Sequence, residues 1–544
     1  MKNIFKRLIA ANVCAVMAMA VGTACSPQVK VEDDSRPAIR VSVFNGGYGR
    51  AWLDTIVEDF NAEHPDYAYK ISVNANKDEF NSILSSVQSG NYDSDMFFSN
   101  AYIYKFVAGK YLEDLSSVWT SAAESGEKTI EERMFYSDEY KKAYGDGKGG
   151  IYGIPLQETV RSFIYDHDLF LKYRLLYNDD GEFISSETET LSKGKDGIAG
   201  TYDDGHPVTE TQWEDMIAKA TRLFGYGVVY TGKFNVYLND LYTAISAQYD
   251  GTDKFLMNWT YDGTYDFGSG EEVINMDNGY RLSEMKGKAV ALEFMDKYLA
   301  GKDPTAGKSS PYINPASSRL GYSHTDAQND YIIPAAQNKT TRSAMLYEGD
   351  YWENEAKTTF TTLGREGYPD YAFRTRNYRF MTLPIFDGQK ESGNVYAIGD
   401  NMYIAMLKQG DAVKKQISLE FIRYMYKDKY VRNFTVESGG LMPFETTFTE
   451  DDYSKMSSFT KNFLNLYHDR EHNKFVNTQM YDNTYDTAKS GAFYGHMHNG
   501  THFEIMDGLY YYDAAEYISK MSATWENRWE DALASYQIYQ DSKR

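Results

Sequence analysis

Ile39-Arg40-Val41-Ser42-Val43-Phe44 alternates apolar and polar positions, which predicts a strand. Asn45-Gly46-Gly47-Tyr48-Gly49 follows as a turn, and Trp52, Leu53, Ile56, Val57 and Phe60 then recur at helical spacing up to Pro65. Tyr69 to Val73 reads as a second strand. Phe80, Ile83, Leu84 and Val87 mark a second helix that ends near Gly90, and Asp95-Met96-Phe97-Phe98 reads as a third, buried strand. Strand, helix, strand, helix, strand at this spacing predicts an α/β fold with a mostly parallel sheet. Further on, Thr209 with Gln212 forms a capping-box start before Trp213, Ile217 and Ala220. Val413, Ile417, Phe421 and Met425 make another helical stripe. Phe380-Met381-Thr382-Leu383-Pro384 reads as a strand that crosses between units. Asn258 to Asp330 is rich in Gly, Asp, Tyr and Ser and shows no clear period.

The N-terminus changes the picture. Lys2, Lys6 and Arg7 precede an uncharged stretch from Leu8 to Val21, and Gly22-Thr23-Ala24-Cys25 follows. A basic start, a short apolar stretch and small residues before a cut site read as a secretory signal. Cys25, ahead of Ser26-Pro27, resembles the cysteine of a bacterial lipobox, although Gly22 stands where such sites place a larger apolar residue. That resemblance implies cleavage after residue 24, lipidation of Cys25, and a body held outside the cytoplasm at the cell membrane. Residues 25–36 are then a polar tether. The other cysteine, Cys14, leaves with the signal, so the expected mature fold has neither an internal disulfide nor a thiolate metal site. The formal net charge is −22, and loss of the signal makes the remainder more acidic. Such a chain repels phosphate backbones, which argues against a nucleic-acid partner. The 48 Tyr, beside 29 Phe and 7 Trp, suit wet surfaces and hydroxyl-rich ligands, with most rings expected to serve packing.

Five segments in order resemble the extracellular solute-binding lipoproteins of bacterial ABC importers, in the oligosaccharide-binding branch typified by maltodextrin-binding protein. Val41 to Pro65 is similar to the first strand and helix. Tyr92 to Leu115 contains Asp95-Met96-Phe97-Phe98-Ser99-Asn100 and Gly109-Lys110-Tyr111-Leu112. Gly150 to Pro155, continuing through Ser162 to Asp166, resembles the crossover into a second lobe. Ala344-Met345-Leu346 to Trp352 resembles the segment that supplies a sugar-stacking aromatic. Asn401 to Tyr426 with Glu437 to Pro443 resembles the late helix and return crossing. The chain is longer than most such binders, chiefly through 178–207 and 258–338.

The resemblance implies a two-lobe, periplasmic-binding-protein-like fold of type II, each lobe a mostly parallel sheet flanked by helices and hinged by crossing strands. Lobe one is expected at 37–157 plus 393–439, and lobe two at 158–385 plus 440–544. It implies capture of an oligosaccharide between the lobes by a monomer, and delivery to a membrane permease. The ligand-binding residues it implies are Tyr48, Asn100, Tyr102, Glu158, Thr159, Glu348, Tyr351 and Trp352. Trp352→Ala is accordingly expected to weaken binding far more than Trp119→Ala.

Asp196, Asp203 and Asp204 lie among glycines, and such carboxylates can wrap calcium, though a solvated turn is the alternative. No cofactor is required. His496, His498 and His502 have zinc-like spacing but no cysteine to assist, and a surface loop fits them better. There is no G-x-S-x-G, H-E-x-x-H or P-loop, so no enzyme is expected; paired carboxylates leave a glycan-active enzyme as one alternative. An oligopeptide-binding lipoprotein is the other.

Overall fold

The computed structural model describes residues 34–76, 80–100, 103–303, 305, 307–484 and 505–542. Eleven strands are formed among them: β1 Ala38–Phe44, β2 Lys70–Asn76, β3 Met96–Ser99, β4 Ile154–Asp166, β5 Gly225–Val229, β6 Gly263–Asp266, β7 Glu271–Ile274, β8 Arg342–Gly349, β9 Tyr378–Met381, β10 Asn394–Met406 and β11 Asn473–Asn477. The main sheet runs β2-β1-β3-β10-β4-β8-β5, with β11 added beside β10 and β9 beside β4. β1 is parallel to β2 and β3, β5 is parallel to β8, and β10 runs against both β3 and β4. The α/β, two-lobe expectation holds.

β4 and β10 connect the two halves. Each has 13 residues, about 43 Å of extended chain at ~3.3 Å per residue. The end of β10, Tyr403–Met406, pairs with β3, whereas its start, Asn394–Ile398, pairs with β11. β4 pairs with β10 from Ile154 to Val160, then with β8 and β9 from Arg161 onward. The pairing of β4 with β10 shifts register between Ile398 and Asp400 and again between Met402 and Tyr403. β9 stays within the second half, so Phe380–Pro384 is not the crossing strand; Asn394–Met406 is.

Separate apolar clusters lie on either side of this pair. Val41, Trp52, Phe60, Phe98 and Ile404 belong to one. Phe163, Trp213, Tyr347 and Met381 belong to a second, and Trp352, Phe360, Phe380 and Phe463 to a third. The helix Ala51–Glu63 buries Trp52, Leu53, Ile56, Val57 and Phe60, the stripe that its sequence period marks. Thr209 starts the helix Glu210–Phe224 with both halves of a capping box in place. Among the described residues, no helix is long and apolar enough to cross a membrane.

Candidate functional site

A cavity of about 510 Å³ opens between the two halves. Its first wall comes from the loop after β1, Asn45 to Gly49, with Phe44 and Trp52 beside it. Its floor is the middle of the crossing strands: Gln157, Thr159 and Arg161 on β4, Asp400 and Met402 on β10, and Asn100 just past β3. The opposite wall carries Phe234, Tyr237, His324, Tyr351 and Glu355.

Strand geometry explains the floor. Successive side chains on a strand point to opposite faces. Residues 157, 159 and 161 therefore line the cavity together, and Glu158 faces away. The Glu158 carboxylate accepts hydrogen bonds from the Tyr140 hydroxyl, at 2.5 Å, and from the Tyr467 hydroxyl. Asn401 on β10 alternates in the same way and also accepts from Tyr140, at 3.1 Å.

Arg161 is the electrostatic centre of the floor. Its guanidinium donates to Asp240 at 2.6 Å and also to Asp400, and it lies 4.2 Å over the Tyr237 ring. Asp400 in turn accepts from the Asn100 amide at 3.0 Å. Burial pushes the Asp240 carboxyl up to about 6, against the pull of Arg161. Gly399 makes this packing possible, because a Cβ there would overlap both the Asp240 carboxylate and the Arg161 guanidinium.

A second polar cluster joins the halves. The Tyr48 hydroxyl is 2.8 Å from Thr159 Oγ1 and donates to both carboxylate oxygens of Asp350, at 3.1 and 3.0 Å. Asp350 also accepts the Val160 amide at 3.1 Å. Burial raises Asp350 to about 7 and Glu348 to about 7. The Tyr351 ring stands edge-on to Tyr48 at 5.5 Å, and its hydroxyl donates to Glu348 at 3.0 Å. The first loop approaches closely because residue 47 is glycine: a Cβ there would sit 2.5 Å from the Tyr351 ring. Asn354 closes the contact by donating to the Gly47 carbonyl at 2.8 Å.

The far wall is aromatic. Phe234 stacks on Tyr237 with 5.9 Å between centroids and an interplanar angle of 16°. His324 leans on Phe234 at 5.3 Å, and its Nε2 lies 3.4 Å from Glu355, which raises its pKa. Glu355 is held by Gln328 at 2.7 Å. The cavity thus offers ring faces for apolar C–H surfaces and a set of carboxylates, amides and hydroxyls for ligand hydroxyls.

The residues implied by the sequence distribute unevenly. Tyr48, Asn100, Thr159 and Tyr351 line the cavity. Glu158 and Glu348 lie one layer behind it and orient tyrosines. Trp352 is fully buried, packed edge-on against Tyr378, Phe360 and Phe459, so its faces are taken by core rings and not by a ligand. Trp119 is equally buried and donates to the Gly153 carbonyl at 3.0 Å. Comparing Ala substitutions at these two positions therefore compares two core lesions. Tyr102, Cys25, His496, His498 and His502 lie outside the described residues.

Asp196, Asp203 and Asp204 do not form a calcium cage. Asp203 is fully buried and accepts from the Lys195 and Asp196 amides and from Thr201, while Asp204 accepts the Gly200 amide. Among the described residues, no group of three or more His, Cys, Asp or Glu is placed to hold a metal ion. Arg161, Phe234, Tyr237, His324, Glu355 and Asp400 were not anticipated. Arg161 was within reach, two positions beyond Thr159 on an extended segment. Of the two insertions, 258–338 supplies His324 to the cavity, and 178–207 supplies no lining residue.

Residues 46–266 match the family model described as bacterial extracellular solute-binding protein. No curated protein sequence matches the chain. Several solved structures share its fold. A chitin oligosaccharide binding protein aligns with TM-score 0.55 at 13% identity, covering 91% of this chain and 99% of its own. Maltose-bound MalE3 of T. maritima aligns with TM-score 0.54 at 13% identity, covering 90% and 99%. The binding protein RafE in complex with raffinose aligns with TM-score 0.52 at 12% identity, covering 90% and 98%. At these identities the likeness is one of fold. The family match begins at the cavity's first loop and takes in the whole of β4, so this stretch of the chain is similar to the bacterial extracellular solute-binding proteins.

Proposed function

We propose that this protein captures an oligosaccharide between its two halves and hands it to the permease of an ABC importer. The observation that carries this reading is the cavity itself: a ring-lined wall of Phe234, Tyr237 and Tyr351 faces a polar floor of Gln157, Thr159, Arg161, Asp400 and Asn100. Aromatic faces suit the apolar side of a pyranose, and each buried hydroxyl needs a fixed partner of the kind the floor provides. The three similar folds above are named for chitin oligosaccharide, maltose and raffinose, which supports the same ligand class. Tyr48, Asn100, Thr159 and Tyr351 contact the sugar in this reading, and Glu158 and Glu348 hold tyrosines in position.

The ligand is a neutral glycan. Arg161 is the cation of the floor and already faces the Asp240 and Asp400 carboxylates, and His324 already faces Glu355. A uronate would add negative charge to a site already dominated by it. Lobe one comprises 37–157 plus 393–439, and lobe two 158–385 plus 440–544. Cys25 carries the lipid that holds the body outside the cell membrane, and the protein works as a monomer by opening and closing about β4 and β10.

A thermal-shift screen against glycan and peptide panels tests this. Ligand that binds only the folded state raises Tm by mass action. A rise with one neutral glycan class, recovered intact afterwards, is the expected result. Rises with peptides alone, or breakdown of the glycan, would overturn the reading.

A further inference from the structure

A second cavity, about 450 Å³, lies on the same edge of the second half. Its lining includes Tyr230, Gly232, Ser318, Leu320, Tyr510 and Tyr511. β5 is parallel to β8, so the loops that leave their C-terminal ends emerge on one edge of the sheet. The loop after β8 brings Tyr351 to the main cavity. The loop after β5 serves both: Tyr230 and Gly232 line the second cavity, and Phe234 and Tyr237 line the first. The 258–338 insertion does the same, with Ser318 and Leu320 on one side and His324 on the other. Gly232 and Phe234 are two residues apart, so the rims are separated by about 7 Å of chain.

The ridge between the cavities is tightly knit. Gly232 has no room for a Cβ, which would overlap the carbonyls of Ser317 and Arg319. The Tyr322 carbonyl accepts from Thr231 Oγ1 at 3.0 Å and from the Lys233 amide at 2.9 Å. Behind the second cavity, the Tyr230 hydroxyl donates to the Leu299 carbonyl at 2.6 Å, and its amide donates to Ser317 Oγ at 3.0 Å. The tyrosine platform is fixed as well. The Lys302 ammonium donates to the carbonyls of Leu509 and Tyr512, at 2.8 and 2.7 Å, and the Asp303 amide donates to the Tyr510 carbonyl at 2.9 Å. Within this anchored segment, Tyr511 is 54% exposed and stands perpendicular to Tyr510 at 5.0 Å, while Leu320 across the cavity is 77% exposed. Exposed ring and aliphatic surface on a rigid backbone, one short ridge from a glycan cleft, has the character of a stacking platform.

Resting on the glycan reading above, we propose that this second cavity is a distal subsite, in which Tyr511 and Leu320 hold the far end of an oligosaccharide whose near end occupies the main cleft. The ligand is then longer than the main cleft alone accommodates, and its affinity grows with chain length across the ridge.

Isothermal titration of the full protein with malto-oligosaccharides and chito-oligosaccharides of increasing length tests this. In the series that binds, affinity is expected to rise about tenfold once the chain is long enough to cross the ridge. Tyr511→Ala and Leu320→Ser should each remove most of that rise and leave the affinity for the shortest binding member unchanged. Both side chains are exposed, and an unaltered Tm for each variant confirms an intact fold. Affinity that is independent of length, or variants that weaken every length equally, would overturn the subsite and leave the main-cleft reading standing. Absence of binding at every length in both series would overturn both.

Discussion

A Tyr351→Ala substitution removes a ring from the cavity wall together with its contacts to Tyr48 and Glu348, whereas Trp352→Ala empties the centre of an aromatic cluster. The first should weaken glycan binding by at least about tenfold and cost less stability than the second. The second should destabilise the fold by roughly 3–5 kcal/mol. Paired denaturant melts and binding isotherms on the two variants separate these effects. Asp350 gives a pH signature of a different kind. Its folded-state pKa is raised to about 7 by burial, so the folded form holds its proton more tightly than the unfolded chain does. Its contribution to stability is fully present below about 3.8 and is lost as pH rises through about 7. Asp350→Asn keeps an acceptor for Tyr48 and the Val160 amide but cannot ionise. The variant should therefore lose less stability than the wild type between pH 5 and pH 8, as followed by denaturant melts across that range. At this scale the sequence showed which segments approach the ligand but not which ring in a run does. Asp350-Tyr351-Trp352 presents two adjacent aromatics, and only packing against Phe360, Tyr378 and Phe459 decides which is core.

The crossing strands carry the element-scale logic. β4 and β10 are paired through their middles and then diverge to different partners, and their pairing shifts register at Ile398–Asp400. Gly399 lies in that shift, beneath the Arg161–Asp240 pair. Gly399→Ala should push this ion pair apart, destabilise the protein by about 1–3 kcal/mol through overpacking, and weaken binding at the same time. A stable variant with unchanged affinity would show that the Arg161 cluster tolerates displacement. The first helix was legible because it buries one face and so shows a period of 3.6, and β3 because it is a short apolar run buried throughout. β10 was not, because Asn394–Met406 is buried along most of its length and so lacks an alternating period, and Gly399-Asp400-Asn401 interrupts its apolar residues midway. The partners of Arg161 were out of reach for another reason: Asp240 lies 79 residues away and Asp400 lies 239. Pairing over such distances is set by topology and leaves no local pattern.

At the scale of the whole molecule, the order of segments was enough to indicate two α/β halves joined by crossing strands. The far wall was hidden because Phe234 lies in a loop, Tyr237 ends a single short turn and His324 opens a helix, and these are brought together only by the packing of β5 beside β8 and of the 258–338 insertion on both. The charge balance of the assembled cleft makes its own prediction. Neutral glycans should bind at least about tenfold more tightly than uronate-containing ones of equal length, a gap that narrows in high salt as screening grows. Equal affinities in competition titrations would show that the carboxylates are not presented to the ligand. The central claim is that the cavity between the halves captures an intact glycan. Its most direct test is a calorimetric titration of the wild type and of a Tyr237→Ala, Tyr351→Ala double variant with the glycan that raises Tm. One molecule bound per chain, with the glycan recovered unchanged and affinity falling at least a hundredfold in the double variant, is the predicted result. Undiminished affinity in the double variant, or consumption of the glycan by the wild type, would contradict it.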